Sequence, residues 1–223
     1  MIDRGIEQVK FLFSDLPFVY HPYFFLQDNK YTIFAAEIKP VGADEIMKKK
    51  KLEELNRLSM EAFQEAEKTP VVLVLDNVRS MNNVGSAFRT ADAFALEKLY
   101  LCGITATPPH REIQKTALGA EQAVAWEHTS DTAQLCRQLQ AEGYKVLAIE
   151  QAEGSTLLQE FKPRAQEKYA LVFGNEVFGV DDEVMEIADG CLEIPQFGTK
   201  HSLNISVSIG VVAWHLKAGL LKE

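Results

Sequence analysis

Three short segments of the chain bring together amides, acids, hydroxyls and an arginine at spacings that can build a binding site. The first, LDNVRSMNNVGSAFRTADAF (75–94), leaves the end of the apolar run VVLVLD. Asn83 can cap a helix there, and Gly85, Ser86 and Ala87 are small enough for close backbone packing in its early turns. Arg89, six residues on, lies nearly two turns further along but within side-chain reach. Read alone, this is a capped, tightly packed helix with a surface arginine. The second segment is Phe173-Gly174-Asn175-Glu176 followed by Gly179. Two glycines around an amide and an acid make a sharp loop whose backbone can approach a ligand closely. Alone, it reads as an ordinary strand-to-helix turn. The third, IPQFGTKHSLN (194–204), runs into ISVSIGVVAWHL. Ser202 is a natural N-cap, so unpaired amides and the positive dipole end face the preceding loop, which Gly198 lets turn back. Asn204, placed among apolar neighbours, is expected to be buried and to need a polar partner.

Other chemistry-bearing patterns do not hold up. Gly174–Gly179 has the outer glycine spacing of a phosphate loop, but Val180 and Asp181 stand where lysine and a hydroxyl are required. No GxGxxG follows the first strand. His21, His110, His128, His201 and His215 show no HExxH spacing, and Cys102, Cys136 and Cys191 form no CxxC. No metal site and no disulfide framework are expected. Asn204-Ile205-Ser206 is formally a glycosylation sequon.

The elements that must position the three segments alternate from residue 70 onward. Apolar runs at 71–76, 98–102, 123–126, 145–149, 169–173 and 191–194 read as strands covered on both faces. Helical spacing fills 84–95, 131–142, 182–187 and 203–221, and Gly143 reads as a helix C-cap. Alternation of this kind predicts an α/β fold: a parallel sheet with helices on both faces. Each of the three segments then lies just beyond the carboxyl end of a strand, where such folds place their sites. The last helix carries Val207, Val211, Trp214 and Leu221, which suit either a dimer contact or burial within the subunit.

Length and composition fit one sizeable core with a short appendage: 223 residues, 47% hydrophobic and 25% charged. No stretch approaches the roughly 20 apolar residues of a spanning helix, and MIDRGIEQVK does not resemble a secretory signal. A cytoplasmic protein with no membrane partner is expected. The net charge of −9 argues against a nonspecific nucleic-acid coat but leaves room for a local basic patch.

Taken together, N-x-G-x-x-x-R-T, G-N-E-x-x-G and I-P-x-x-G-x-x-x-S-L-N, in that order and each after a strand, resemble the SpoU/TrmH family of RNA ribose 2′-O-methyltransferases, within the SPOUT superfamily. The resemblance covers roughly residues 70–217. It implies a C-terminal deep trefoil knot from about Tyr169 onward, S-adenosyl-L-methionine as cofactor, and a homodimer whose active site borrows residues across the interface. It places Phe173, Gly174, Ile194, Gln196 and Leu203 at the cofactor, largely through backbone. Asn83, Ser202 and Asn204 match residues that position ribose and cofactor, and Glu176 matches a loop acid that shapes the site. Arg89 matches the family's arginine, which contacts RNA phosphate and helps activate the hydroxyl, as a base or as an electrostatic stabiliser. The RNA partner is tRNA or rRNA, with tRNA favoured. A noncatalytic RNA- or nucleotide-binding protein on the same scaffold is the alternative.

Residues 1–69 are expected to form an N-terminal extension to a methyltransferase domain at 70–223. Its first 46 residues are an aromatic-rich leader without a family counterpart: either an appendage whose aromatics pack against the partner subunit or stack on RNA bases, with packing on protein expected first, or a dispensable leader. Met47, followed by Lys48–Lys51, reads as a plausible chain start. An amphipathic helix is expected over about 47–68, ended by Pro70. Its lysines, with Arg57, Arg79 and Arg111, are the candidate RNA patch, although a charge run is more often a solvated face.

Overall fold

The computed structural model describes residues 48–221 together with two short strands, β1 (Phe24–Gln27) and β2 (Lys30–Ile33). These two pair antiparallel, with Phe24 opposite Ile33. The rest of the aromatic-rich leader lies outside the described residues. The chain divides into two compact units, one ending at Leu55 and the other running from Asn56.

The second unit is built on a seven-stranded sheet in the order β5-β4-β3-β8-β6-β9-β7. Its strands are β3 (Thr69–Asp76), β4 (Leu96–Cys102), β5 (Trp126–Thr129), β6 (Tyr144–Ile149), β7 (Thr156–Leu157), β8 (Lys168–Phe173) and β9 (Gly190–Glu193). All the pairings are parallel. The central strands β3 and β8 are nearly continuous apolar runs because both their faces are covered. On one face, Leu73 and Leu75 of β3 and Leu171 of β8 meet Phe88, Ile113, Ile209 and Leu216. On the other, Val72, Val74 and Val172 meet Cys136, Leu139 and Val184. The helices behind these contacts are α1 (Met60–Glu65), α2 (Met81–Ala93), α3 (Arg111–Ala117), α4 (Ala120–Ala123), α5 (Thr132–Ala141), α6 (Asp182–Ile187) and α7 (Ile205–Leu220). The first face is covered by α2, α3 and α7, the second by α5 and α6. The expected parallel sheet with helices on both faces is present.

Packing explains the small residues of α2. A Cβ on Gly85 would collide with Thr116 Oγ1 and the Ile113 carbonyl, so α2 and α3 approach as closely as they do only with glycine there. Burial of Cys102 and Cys136 pushes both thiols up to about 12, keeping them protonated core groups rather than nucleophiles.

Several sequence expectations need correction. The run at 123–126 is not a strand. Ala120–Ala123 is a helical turn, and the strand starts at Trp126, where exposed Glu127 and His128 mark a sheet edge. The run at 191–194 pairs one residue earlier, from Gly190, and Ile194 already belongs to the following loop. The long amphipathic helix over 47–68 is replaced by a 3-10 turn at Leu52–Leu55 and the short α1, capped by Ser59. Its expected apolar face is largely in water: Leu55, Leu58 and Ala62 are exposed, while Phe63 is buried. Pro70 ends no helix; it sits second in β3.

Candidate functional site

The carboxyl ends of β6, β8 and β9 open into a cleft of about 490 Å³, within the size range of small-molecule sites. Eight of the ten residues singled out from sequence line it. Phe173, Gly174 and Glu176 come from the end of β8 and its loop. Ile194 and Gln196 come from the loop after β9. Ser202, Leu203 and Asn204 come from the approach to α7.

The loop after β8 is held in one shape by its own amide. Asn175 Oδ1 accepts from the Val177 and Phe178 backbone N–H groups at 2.9 and 3.2 Å. Its Nδ2 donates to the Asn77 carbonyl at 2.7 Å. Asn175 and Gly179 also exchange two backbone hydrogen bonds. A Cβ on Gly174 would run into the Gly179 backbone, so the glycine permits this closure. Glu150, just past β6, steadies the exit of the loop by accepting from the Val180 N–H at 3.3 Å. The opposite wall is tied by Gln151, which donates to the His201 carbonyl at 2.6 Å.

Glu176 reaches out of this loop to the start of α2. Its two carboxylate oxygens accept from the backbone N–H groups of Arg79 and Ser80, each at 3.0 Å, and Oε1 also takes the Asn83 side-chain amide at 3.1 Å. Partial burial pushes its pKa up, but the Arg79 and Ser80 N–H groups and the Asn83 amide more than offset this, leaving it below the ordinary glutamate value. A carboxylate on the first amides of a helix also complements the helix dipole. Asn83 is therefore not the cap of α2. Ser80 is, accepting from the Asn83 N–H, while the buried Asn83 side chain is turned toward Glu176.

At the start of α7 the cap is Asn204, not Ser202. Its Oδ1 accepts from the Ser206 backbone N–H at 2.8 Å and from the Ser206 hydroxyl at 2.6 Å. Asn204 is exposed to the cleft rather than buried, because the helix begins one residue later and only Ile205 turns into the core.

Arg89 stands apart. It is exposed on α2 and lines a second concavity of about 460 Å³, formed with Lys115 of α3 and Gly210 of α7. Among the described residues no carboxylate lies within ion-pair distance of it. Within one subunit, then, nine of the ten candidates are gathered at the cleft, with Asn83 joined to it through Glu176, while Arg89 faces a neighbouring hollow.

Glu150 and Gln151 were missed from sequence. The signal was available: they follow a buried strand, the same position that drew attention to the other three segments. The titratable groups lining the cleft are Glu150, Glu176 and His201. Both acids accept from N–H donors, so the cleft is equipped to position a ligand more than to exchange protons with it. No group of three or more metal-ligating side chains occurs among the described residues.

Comparison with known proteins bears on this geometry. The profile of the SpoU rRNA Methylase family matches residues 70–214. The chain is 32% identical over 146 residues to the Bacillus subtilis 23S rRNA (guanosine(2553)-2'-O)-methyltransferase, covering 66% of this chain and 57% of that one. It is 29% identical over 175 residues to a Thermus thermophilus tRNA (guanosine(18)-2'-O)-methyltransferase, covering 75% and 87%. Among solved structures, an AdoMet-bound rRNA methyltransferase from Sinorhizobium meliloti superposes with a TM-score of 0.64 at 27% identity, covering 71% of this chain and 60% of that one. The chain spans less than two thirds of the length of several curated relatives it matches, 56% in the Neisseria meningitidis case.

Proposed function

The chain belongs to the SpoU rRNA Methylase family, and on that premise we propose that it is an S-adenosyl-L-methionine-dependent RNA 2′-O-ribose methyltransferase. The observation carrying this reading is the convergence of two of the sequence segments, 173–179 and 194–204, on one cleft of cofactor size, with the third tied to it by the hydrogen bond from Asn83 to Glu176. Phe173, Ile194 and Leu203 give the cleft apolar wall, while the loops around Gly174 and Gln196 bring backbone polar groups, a mixture suited to a nucleoside joined to an amino-acid chain. Bound there, S-adenosyl-L-methionine supplies an electrophilic methyl group.

The chain's own residues orient and stabilise. The acceptor hydroxyl is a weak nucleophile at neutral pH, so its developing negative charge needs a counter-charge. A guanidinium does not give up its proton in proteins, and Arg89 therefore acts as an electrostatic stabiliser of the 2′-oxygen and an anchor for RNA phosphate. Asn83 and Glu176 fix the β8 loop against α2, and Asn204 fixes the start of α7. Ser202, exposed on the cleft wall, is left to contact ribose. Alignment of donor and acceptor supplies much of the acceleration.

Arg89 lies outside the single-subunit cleft, which favours a homodimer with shared sites. The face of α7 next to the Arg89 hollow supports this: Val207, Val211 and Trp214 are 50%, 40% and 56% exposed, and Trp214 packs on Phe94, which lines the hollow. A second copy docked on this face brings Arg89 of one subunit to the cleft of the other. The segment from β8 to α7 forms the family's trefoil knot in this reading. Support comes from the loop after β9, which is tied to the loop after β6 by Gln151 and His201 before α7 crosses to the face held by α2. The extension at 1–69 is an appendage to the methyltransferase domain, and the setting is the cytoplasm. Of the RNA classes, tRNA is favoured by the Thermus relative, matched over 87% of its length. Incubation with labelled S-adenosyl-L-methionine and total tRNA or rRNA tests the reading; transfer to tRNA, abolished by Arg89→Ala, is expected, and a product confined to rRNA removes the tRNA preference.

A further inference from the structure

The two most exposed large apolar side chains among the described residues are both phenylalanines, and both stand beside the cleft. Phe197 is 95% and Phe178 is 86% exposed. Phe178 follows Val177, and Phe197 follows Gln196; each of those neighbours lines the cleft wall. Two rings left almost wholly in water forgo the gain that burial would bring, and the loop that carries Phe178 is locked by Asn175 rather than free to tuck its ring inward.

Cations are interleaved with the rings. Lys200 follows Phe197 in the same loop and is exposed. Arg79, also exposed, hydrogen-bonds through its backbone to Glu176, two residues before Phe178. On a chain of net charge −9, Lys200 and Arg79 put two exposed positive charges close to the rings in sequence or through the Glu176 loop. Exposed aromatic faces set among positive charges are what unstacked bases and their phosphates require.

We propose that Phe178 and Phe197 form a base-stacking platform at the cleft rim, which holds the nucleotides around the target ribose in single-stranded form, with Lys200 paired to a phosphate. This rests on the RNA methyltransferase reading and deepens it: the substrate is a loop or single strand whose bases are splayed out, and duplex RNA is rejected because its bases are already stacked. A protein partner or the methyl donor's adenine are the competing occupants.

The test uses the full chain, a fluorescein-labelled single-stranded RNA dodecamer, and the same sequence annealed into a duplex. The expected result is preference for the single strand. Phe178→Ala and Phe197→Ala each weaken single-strand binding roughly tenfold, as loss of a base–aromatic stack does, and Phe197→Trp restores it. The phenylalanine variants leave the salt slope unchanged, whereas Lys200→Ala reduces it by about one phosphate's worth. S-adenosyl-L-methionine affinity and sedimentation are unaltered in all of them. Wild-type affinity in the alanine variants overturns the platform. So does equal binding of duplex, loss of S-adenosyl-L-methionine affinity, or loss of self-association. If the wild-type chain binds the dodecamer through these rings but transfers no methyl group to any RNA, the methyltransferase reading fails while the platform stands.

Discussion

Asn83 and Glu176 are 93 positions apart, yet the Asn83 side-chain amide donates to Glu176 Oε1 at 3.1 Å. That contact, with the Arg79 and Ser80 N–H groups on the same carboxylate, fastens the loop after β8 to the first turn of α2. It is the link that makes two sequence segments one site.

Its pH dependence follows from the lowered carboxyl of Glu176. A carboxylate lowered in the folded state stabilises the fold above its unfolded pKa, and that stability is lost as pH falls through the folded value. Glu176→Gln should therefore cost about 1 kcal/mol at pH 7, in line with a lost helix-capping interaction, and the gap to wild type should begin to narrow as pH falls past the ordinary glutamate value of about 4.3. Thermal melts of both proteins from pH 7 to pH 3 check this. A gap that is as wide at pH 3 as at pH 7 contradicts it.

Arg89→Ala should lower methyl transfer roughly 10²–10³-fold, the usual effect of removing one stabiliser of developing charge. Its side chain is exposed and has no described ion-pair partner, so the melting temperature and S-adenosyl-L-methionine affinity should stay at wild-type values. Isothermal titration and a melt alongside the rate assay separate the two. An unfolded variant would reassign Arg89 to the core.

How far the site could be read beforehand depended on whether each feature was local. The buried strands β3, β6 and β8 announce themselves as apolar runs, and the loops after them carry the glycines and amides that drew attention. The cap of α2 was misplaced because Ser80 and Asn83 are both good caps, and the choice is made by Glu176, which no local pattern reveals. Ser202 and Asn204 pose the same ambiguity, settled by the two donors of Ser206. β7, two residues long, leaves no periodic signal at all. The position of Arg89 outside the cleft is likewise a matter of how whole elements pack.

If two copies share their sites as proposed, mixed dimers carry a sharp expectation. Arg89→Ala and Asn204→Ala homodimers should each be impaired, but a heterodimer of the two carries one site with both residues intact. Co-purification with two affinity tags and a rate assay should return about half of wild-type activity per dimer. Activity no better than that of the parent variants means that each site draws on a single subunit.

The lysines at 48–51 are exposed. If they contact phosphate, replacing all four with glutamine should weaken RNA binding and flatten the plot of log K against log salt by up to roughly 0.9 per lost contact. An unchanged slope removes them from the interface.

A chain beginning at Met47 should fold and dimerise, because the seven-stranded sheet and the whole cleft lie beyond it. Circular dichroism melts and sedimentation velocity check this. Failure to fold would place residues 1–46 in the core.

The central claim is methyl transfer to a ribose oxygen. Nucleoside mass spectrometry of tRNA and rRNA, after incubation with the protein and isotopically labelled S-adenosyl-L-methionine, reads that directly. The expected product is a labelled nucleoside whose methyl group resides on the ribose fragment at one position. Label on a base fragment, or no label in either RNA, would contradict the account.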